Sequence, residues 1–319
     1  MSNPHDFGEP VQAPIPPRNG EAITSLATGM TYTIGDVIGE GAFGVVFGCT
    51  DGWENDLAAK VLKPTRSHDE MHAAAVGELE RLRALRHPSV TYVYDAFEFQ
   101  GLFYIITERC YCPVSRLFST DQFDGSVWIR PLARCLLQAV HYLHVNQYAH
   151  QDIHSNNVFA AFARDEMDDT AGAITFKLGD LGISKVFGEL DAANTLADWM
   201  RPPEAIDPAE YGQLDHRIDI YHAGLLFLQL AYSSELRFSR DEVIAGVPRE
   251  MALSLPAPLN FALEKALRRH VAYRTASAPE LWRDLCSPGL PDTPPEELAE
   301  VLADELHSDG AVERENPTG

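Results

Sequence analysis

Three glycines set between two strand-like runs constrain this chain more than any other feature. Residues 32–38 are β-rich. Gly39, Glu40, Gly41, Ala42, Phe43 and Gly44 follow, and Val45, Val46 and Phe47 then resume a strand-like run as far as residue 49. Glycine has no Cβ, so a backbone rich in it can close over a bulky anion and aim its N–H groups at phosphate oxygens. The same glycine spacing opens dinucleotide-binding folds, but there a helix has to follow the last glycine. A β-branched pair follows here, so the stretch is read as a glycine-rich β-hairpin rather than a strand-to-helix turn. Taken alone, it is shared with ordinary glycine-rich hairpins.

The rest of the pattern gives an α+β chain with its strands first. A further strand over 57–62 carries Lys60 between Ala58-Ala59 and Val61. A helix is expected over 68–85, with Met71, Ala75, Leu79, Leu82 and Leu85 along one side and Glu78 beside them. Strands at 90–99 and 102–107 are joined by the turn Gln100-Gly101. Beyond about residue 112 helices dominate, at 129–144 and 220–232, with two short strands between them at 157–162 and 174–178. The expected architecture is two-lobed: a five-stranded N-lobe with one main helix over about 26–109, and a mostly helical C-lobe over about 110–286. Pro10, Pro14, Pro16 and Pro17 make residues 1–25 a disordered leader. Residues 287–319 form a Pro-rich tail with nine acidic residues and one arginine, and a short helix candidate at 296–306.

Bulk properties exclude some classes. A net charge of −22 argues against a nucleic-acid binder, which needs basic patches to displace counterions. An acidic surface suits a basic protein substrate, although solubility is the simpler reading. Five scattered cysteines (Cys49, Cys110, Cys112, Cys135 and Cys286) have no metal-type spacing and suit a reducing cytoplasm. No secretory signal opens the chain, and the longest apolar stretch, 224–232, is too short to span a bilayer. No membrane insertion is expected, and oligomeric state is left open.

The chemistry-bearing residues recur in order along the chain. Lys60 lies in an apolar strand next to the glycine loop, and a Lys60–Glu78 ion pair would point its ammonium at phosphate oxygens. In His150-Gln151-Asp152-Ile153-His154-Ser155-Asn156-Asn157, Asp152 can accept the proton of an attacking hydroxyl, and Asn157 offers a neutral oxygen to a hard cation. Lys177-Leu178-Gly179-Asp180-Leu181-Gly182 then sets a carboxylate, Asp180, at a strand end, suited to a Mg²⁺ bridging β- and γ-phosphates.

Over residues 32–285 this set resembles the eukaryotic-type protein kinases. The resemblance implies ATP with Mg²⁺ (or Mn²⁺) as cofactors. Lys60 would bind the phosphates, Glu78 would orient it, Asp152 would act as base with His154 beside it, and Asn157 and Asp180 would hold the metal. It also implies that ATP meets Gly39, Glu40, Gly41, Ala42, Phe43, Gly44, Val46, Ala58 and Phe159, with Thr107, Glu108 and Cys110 at the adenine. Pro202-Pro203-Glu204, Asp219 and Arg274 match further family marks. Three departures stand out: Gln151 replaces an arginine, Leu181 a phenylalanine, and His154 the lysine of serine/threonine kinases. His-x-Asp-x-His-x-x-Asn resembles the loop of aminoglycoside and choline phosphotransferases. The expected activity is therefore phosphoryl transfer to a protein Ser or Thr, with a small-molecule kinase as the alternative and a pseudokinase scaffold third.

Overall fold

The computed structural model describes residues 15–41, 44–62, 85–120, 123–164, 172–181, 185–190 and 198–286. Ala42, Phe43, Glu78 with the helix expected around it, and the acidic tail lie outside those residues. The chain divides into two units, the first from residues up to 84 together with 92–109, the second from 85–91 together with 110 onward.

The first unit is built on one antiparallel sheet. Its strands are β1 (Ala22–Thr24), β2 (Thr31–Glu40), β3 (Gly44–Asp51), β4 (Asp56–Leu62), β5 (Val93–Phe99) and β6 (Leu102–Glu108), in the order β1-β2-β3-β4-β6-β5. The strand count is six, not the expected five. The added strand, Ala22–Thr24, falls in the stretch read as leader, and it pairs with Thr31–Thr33. Three residues are too few to show a period of two, and the upstream prolines dominate the composition. Ile23 is nonetheless fully buried and joins the core. The register packs Phe47 opposite Ala59 and Ala59 opposite Ile106, and Val45 opposite Val61 and Val61 opposite Tyr104. These side chains, with Leu57, Phe97 and Tyr32, make one apolar face. Each large aliphatic buried there contributes about 1.5–3 kcal/mol. Gln100 and Gly101 both have positive φ, 51° and 77°, as the two-residue turn between β5 and β6 requires.

Val90 departs from its expected strand. It forms an isolated parallel bridge with Leu178, and β5 begins only at Val93. Residues 85–91 thus belong with the second unit. Thr91 N–H donates to Leu178 O at 2.9 Å, and Leu178 N–H donates to Ser89 O at 2.8 Å.

The second unit is mostly helical. After β7 (Cys112–Pro113) and α1 (Val114–Leu117) comes its longest element, α2 (Gly125–Val145), capped by Asp124, whose side chain accepts Ser126 N–H. Next are β8 (Tyr148–Ala149), β9 (Val158–Arg164), β10 (Gly172–Leu178) and β11 (Lys185–Val186), where β9 pairs with β7 and β10, and β11 with β8. Then follow α3 (Pro203–Ile206), α4 (Pro208–Tyr211), α5 (Ile218–Ala231), α6 (Arg240–Ala245), α7 (Val247–Leu253), α8 (Leu259–Ala266) and α9 (Ala278–Leu285). Every residue of α5 from Ile218 to Leu230 is buried, as its all-round apolar sequence demands. Helices α2 and α5 approach so closely that a Cβ on Gly125 would come within 2.4 Å of Leu230 O. Only glycine fits there. That close packing ties the start of α2 to the C-terminal end of α5; at their opposite ends His144 of α2 and Asp219 of α5 meet at the loop after β8.

Candidate active site

In the first unit, strand register gathers most of the proposed nucleotide-binding side chains on the face opposite the core. Gly39 pairs with Val46, Val46 with Lys60, and Lys60 with Ile105. One row further along, Gly48 pairs with Ala58 and Ala58 with Thr107. Directly opposed residues of an antiparallel pair share a face. Val46, Lys60, Ala58 and Thr107 therefore stand together, while Leu57, Ala59 and Val61 point into the core.

The glycines of the loop differ in why they are glycines. A Cβ on Gly44 would lie 2.4 Å from Val61 O, so packing alone excludes any other residue. At Gly41 a Cβ would meet no atom of the described residues within 4 Å, and neither Gly39 nor Gly41 needs a positive φ. Nothing in the chain's own packing demands glycine at Gly41, which fits a requirement set by a ligand. Glu40 sits between them on the exposed side of the hairpin. At the other end of the sheet, Glu108 donates its N–H to Tyr92 O at 2.9 Å and accepts Tyr92 N–H on its carboxylate at 2.7 Å.

In the second unit, residues 150–157 leave β8 and run into β9, and Asp219 organises them. Its carboxylate, wholly buried at the start of α5, accepts His150 N–H and Gln151 N–H, each at 2.8 Å, and lies 2.8 Å from His144 Nε2. Burial opposes its ionisation, but the hydrogen bond and charge of His144, the charge of His150 and the N–H of Gln151 outweigh it and hold the carboxyl below its ordinary range. His150, also fully buried, bonds through Nε2 to Gly179 O at 2.9 Å, and its Nδ1 accepts Asp152 N–H at 3.2 Å. Gly179 N–H returns to Asn157 O at 2.8 Å. A Cβ on Gly179 would fall 2.6 Å from the Phe159 ring, so glycine is obligatory immediately before Asp180. These bonds carry Asp152, Asn157 and Asp180 on one hydrogen-bonded frame, with Asp180 itself in the left-handed region at φ 54°.

Asp152, His154 and Asn157 form one cluster. Asn157 Nδ2 donates to the Asp152 carbonyl at 2.9 Å and to its Oδ2 at 3.0 Å. His154 Nε2 lies 3.5 Å from the same Oδ2, and its Nδ1 accepts Asn156 N–H at 3.2 Å, which places the ring proton on Nε2, toward Asp152. Burial raises the Asp152 carboxyl, but the hydrogen bond and charge of His154, with the charges of His150 and His222, bring it below its usual range. The carboxylate is thus ionised at neutral pH. With the Asn157 nitrogen committed to Asp152, its amide oxygen is the side-chain atom that could face a cation, an oxygen donor of the kind a hard divalent ion accepts. No cluster of three or more His, Cys, Asp or Glu side chains suited to a metal occurs among the described residues. A site of one carboxylate and one amide is completed only by oxygens from elsewhere, as a nucleotide's phosphates would supply.

Four residues add to the site beyond those expected from the sequence: Trp199, Arg237, His222 and His144. Trp199 sets its ring edge-on to His154 with centroids 5.6 Å apart, and the Arg237 guanidinium lies 5.4 Å over the Trp199 ring. His222 Nε2 bonds Met200 O at 2.8 Å, next to that tryptophan. His144 braces Asp219. A histidine six residues ahead of His150, at the end of an amphipathic helix, was the one available signal; Trp199 had none. Glu204 and Arg274 form the expected pair, with Nη1–Oε1 2.6 Å and Nη2–Oε2 2.7 Å and both side chains fully buried.

Residues 32–285 match the protein kinase domain, and the chain belongs to that family. Similar curated proteins include human serine/threonine-protein kinase A-Raf (29% identity over 73% of this chain and 38% of that protein). Cyclin-dependent kinase D-1 of Arabidopsis thaliana gives 26% over 62% of this chain and 48% of its own length. Serine/threonine-protein kinase 10 of Danio rerio gives 27% over 86% and 30%. This chain therefore spans less than half the length of these relatives. Their character does not favour the small-molecule alternative that His154 suggested. No helix among the described residues is long and apolar enough to cross a membrane.

Proposed function

We propose that this chain is an ATP-dependent protein serine/threonine kinase, moving the γ-phosphoryl group of ATP to a protein hydroxyl. The observation that carries this reading is the Asp152 cluster: an ionised carboxylate, fixed by Asn157 and faced by the His154 ring, in a chain of the protein kinase family. Asp152 accepts the hydroxyl proton as the acceptor oxygen attacks phosphorus. Asn157 and Asp180 are the residues that would hold Mg²⁺ (or Mn²⁺), which would supply positive charge against the phosphates when bound. Lys60, oriented by Glu78, binds the phosphates under the glycine loop, and Thr107, Glu108, Cys110, Ala58, Val46 and Phe159 receive the adenosine. Catalysis is positioning and charge stabilisation, with no covalent intermediate on the protein. The −22 net charge supports a basic protein substrate, and the scattered thiols a cytoplasmic setting.

The test is transfer from γ-labelled ATP with Mg²⁺ to a basic protein, to the chain itself and to a pool of hydroxylated metabolites, with sites mapped by mass spectrometry. Label on Ser or Thr that disappears in Asp152→Asn supports the reading. Label confined to metabolites, or a wild type that binds ATP and transfers nothing, overturns it.

A further inference from the structure

Among the described residues, a cluster of cationic side chains outside the proposed active site lies where α8 ends. Arg249, Arg268, Arg269, His270 and Tyr273 line an open cavity of about 240 Å³. Glu264 sits beneath it with a side chain only 9% exposed, and it clamps two of the arginines. Its Oε1 accepts Arg249 Nε at 2.7 Å and Arg268 Nε at 3.0 Å, and its Oε2 accepts Arg268 Nη2 at 2.9 Å. Arg269 is fixed by donation to Ile244 O at 2.6 Å and by lying over the Tyr211 ring at 5.9 Å. At the rim, Glu210 lies 3.9 Å from His270 Nε2 and is 63% exposed. Three held guanidiniums thus face one buried carboxylate and one solvated one, in a chain of net charge −22.

Several donors of this cavity have no partner among the described residues: Arg249 Nη1, Arg269 Nε and Nη2, and the Tyr273 hydroxyl. Guanidiniums already oriented by other bonds lose little freedom on binding a carboxylate, which favours an anionic ligand with several carboxylates.

We propose that this cavity docks the acidic segment that follows α9 in the same chain, residues 292–309. That segment holds seven Asp and Glu and no Lys or Arg. The described chain ends at Cys286, directly after α9, and α9 is tied to the helix that leads into the cavity. Glu280 and Asp284 of α9 pair with Lys265 at 3.0 and 2.7 Å, and Lys265 lies one helical turn before Arg268. Nine residues lie between Cys286 and the Glu296-Glu297 pair, ten Cα steps with a reach of up to about 33 Å when extended. Tethering makes the encounter intramolecular, so modest charge pairing is sufficient. The inference stands whether or not the chain transfers phosphate.

Hydrogen–deuterium exchange on the full chain tests it. At low salt, amides in 292–309 should exchange about tenfold more slowly than in a free peptide of the same sequence. Protection should vanish at about 0.5 M salt, in Arg249→Ala/Arg269→Ala, and in Glu296→Gln/Glu297→Gln/Glu300→Gln. The last variant leaves the body untouched and decides the matter if the first misfolds. Charge reversal on both sides, Arg269→Glu with Glu300→Lys, should restore part of the protection. Peptide-like exchange in the wild type, or protection surviving both variants, overturns the proposal. So does inorganic phosphate protecting the cavity while leaving the exchange of 292–309 unchanged, which would make it a site for another molecule.

Discussion

Asp219 holds Gln151 in a left-handed backbone conformation: the carboxylate accepts Gln151 N–H at 2.8 Å while Gln151 keeps φ at 69°. A non-glycine residue in that region is strained by about 1–2 kcal/mol and persists only where its surroundings impose it. The same carboxylate takes His150 N–H, so two consecutive amides depend on one buried group. The turn they make delivers Asp152 to Asn157.

Asp219→Asn keeps the shape but has one acceptor oxygen where two are needed. One buried N–H then goes unpaired, a loss of about 1–3 kcal/mol. Chemical denaturation should show it, together with a fall in phosphotransfer larger than the fall in ATP affinity. Gln151→Gly should fold with stability within about 1 kcal/mol of wild type, since glycine accepts positive φ. Gln151→Val should be clearly destabilised. Equal stability for the Gly and Val variants would remove the backbone argument.

The Glu204–Arg274 pair should behave as a buried ion pair whose members cannot be lost singly. Arg274 also donates to Arg217 O and Arg268 O and lies 4.8 Å over the Tyr221 ring. Arg274→Ala strands the Glu204 carboxylate and should cost about 3–5 kcal/mol in urea unfolding. Arg274→Lys keeps the charge without the planar fork, so it should recover less than half of that. A loss below about 1 kcal/mol for the alanine variant would mean that water reaches Glu204.

Much of this was legible because it rests on short-range signals. The β-rich runs before residue 110 and the apolar helices after it have clear periods, and the glycine loop and 150–157 segment are contiguous in sequence. What was not legible depends on distant partners. Ala22–Thr24 becomes a strand only because β2 offers an edge to it. Val90 looks like the first residue of β5 but is taken by Leu178, nearly ninety positions away. Trp199 reaches His154 through a path that no local pattern encodes. Glu78, read as the partner of Lys60, lies outside the described residues.

Acidification should destabilise the fold in two stages. Burial pushes the His222 imidazole below its ordinary value, and burial together with His144 does the same to His216. The unfolded chain therefore takes up these protons first, near pH 6.5, while the native state resists them. Stability is complete above about pH 6.5 and falls as pH drops through that value, by up to about 1.4 kcal/mol per pH unit for fully buried His222. The depressed carboxyls of Asp152 and Asp219 add a second loss below the ordinary carboxylate range, near pH 4. Thermal unfolding from pH 8 to 5 should slope downward, and His222→Gln, which keeps a donor for Met200 O, should flatten it. An unchanged slope would place the titration elsewhere.

Lys60 and Asp180 separate binding from chemistry. Lys60→Met preserves the packing of the stem between Val46 and Ile105 and removes the charge. Turnover should fall about a hundredfold or more, with a smaller loss of ATP affinity, because the charge matters most as phosphate charge redistributes. Asp180→Ala should abolish transfer while circular dichroism and melting remain near wild type. A folded Asp180→Ala variant with ordinary turnover would sink the metal assignment, and a Lys60→Met variant altered only in melting temperature would make Lys60 structural.

His154 is where a lysine-bearing serine/threonine loop and this chain part, and its surroundings now define its test. The ring is held on three sides: Asn156 N–H at Nδ1, the Asp152 carboxylate at Nε2, and the Trp199 edge. With Nδ1 accepting, Nε2–H faces the Asp152 carboxylate and steadies the negative charge there. His154→Ala should lower turnover by about tenfold to a hundredfold while ATP affinity changes little, since the ring fixes the position of the Asp152 carboxylate that takes the proton. It should also let the Asp152 carboxyl rise toward its ordinary range, moving the acidic limb of the pH–rate profile upward. His154→Lys should restore part of the rate with a protein acceptor, because an ammonium there can again pair with Asp152. Trp199→Leu, which removes the ring edge but not the histidine, should give a smaller loss in turnover with the same direction of pH shift. Equal rates and an unmoved acidic limb in all four proteins would remove His154 from the proposed machinery and leave Asn157 as the group that positions Asp152.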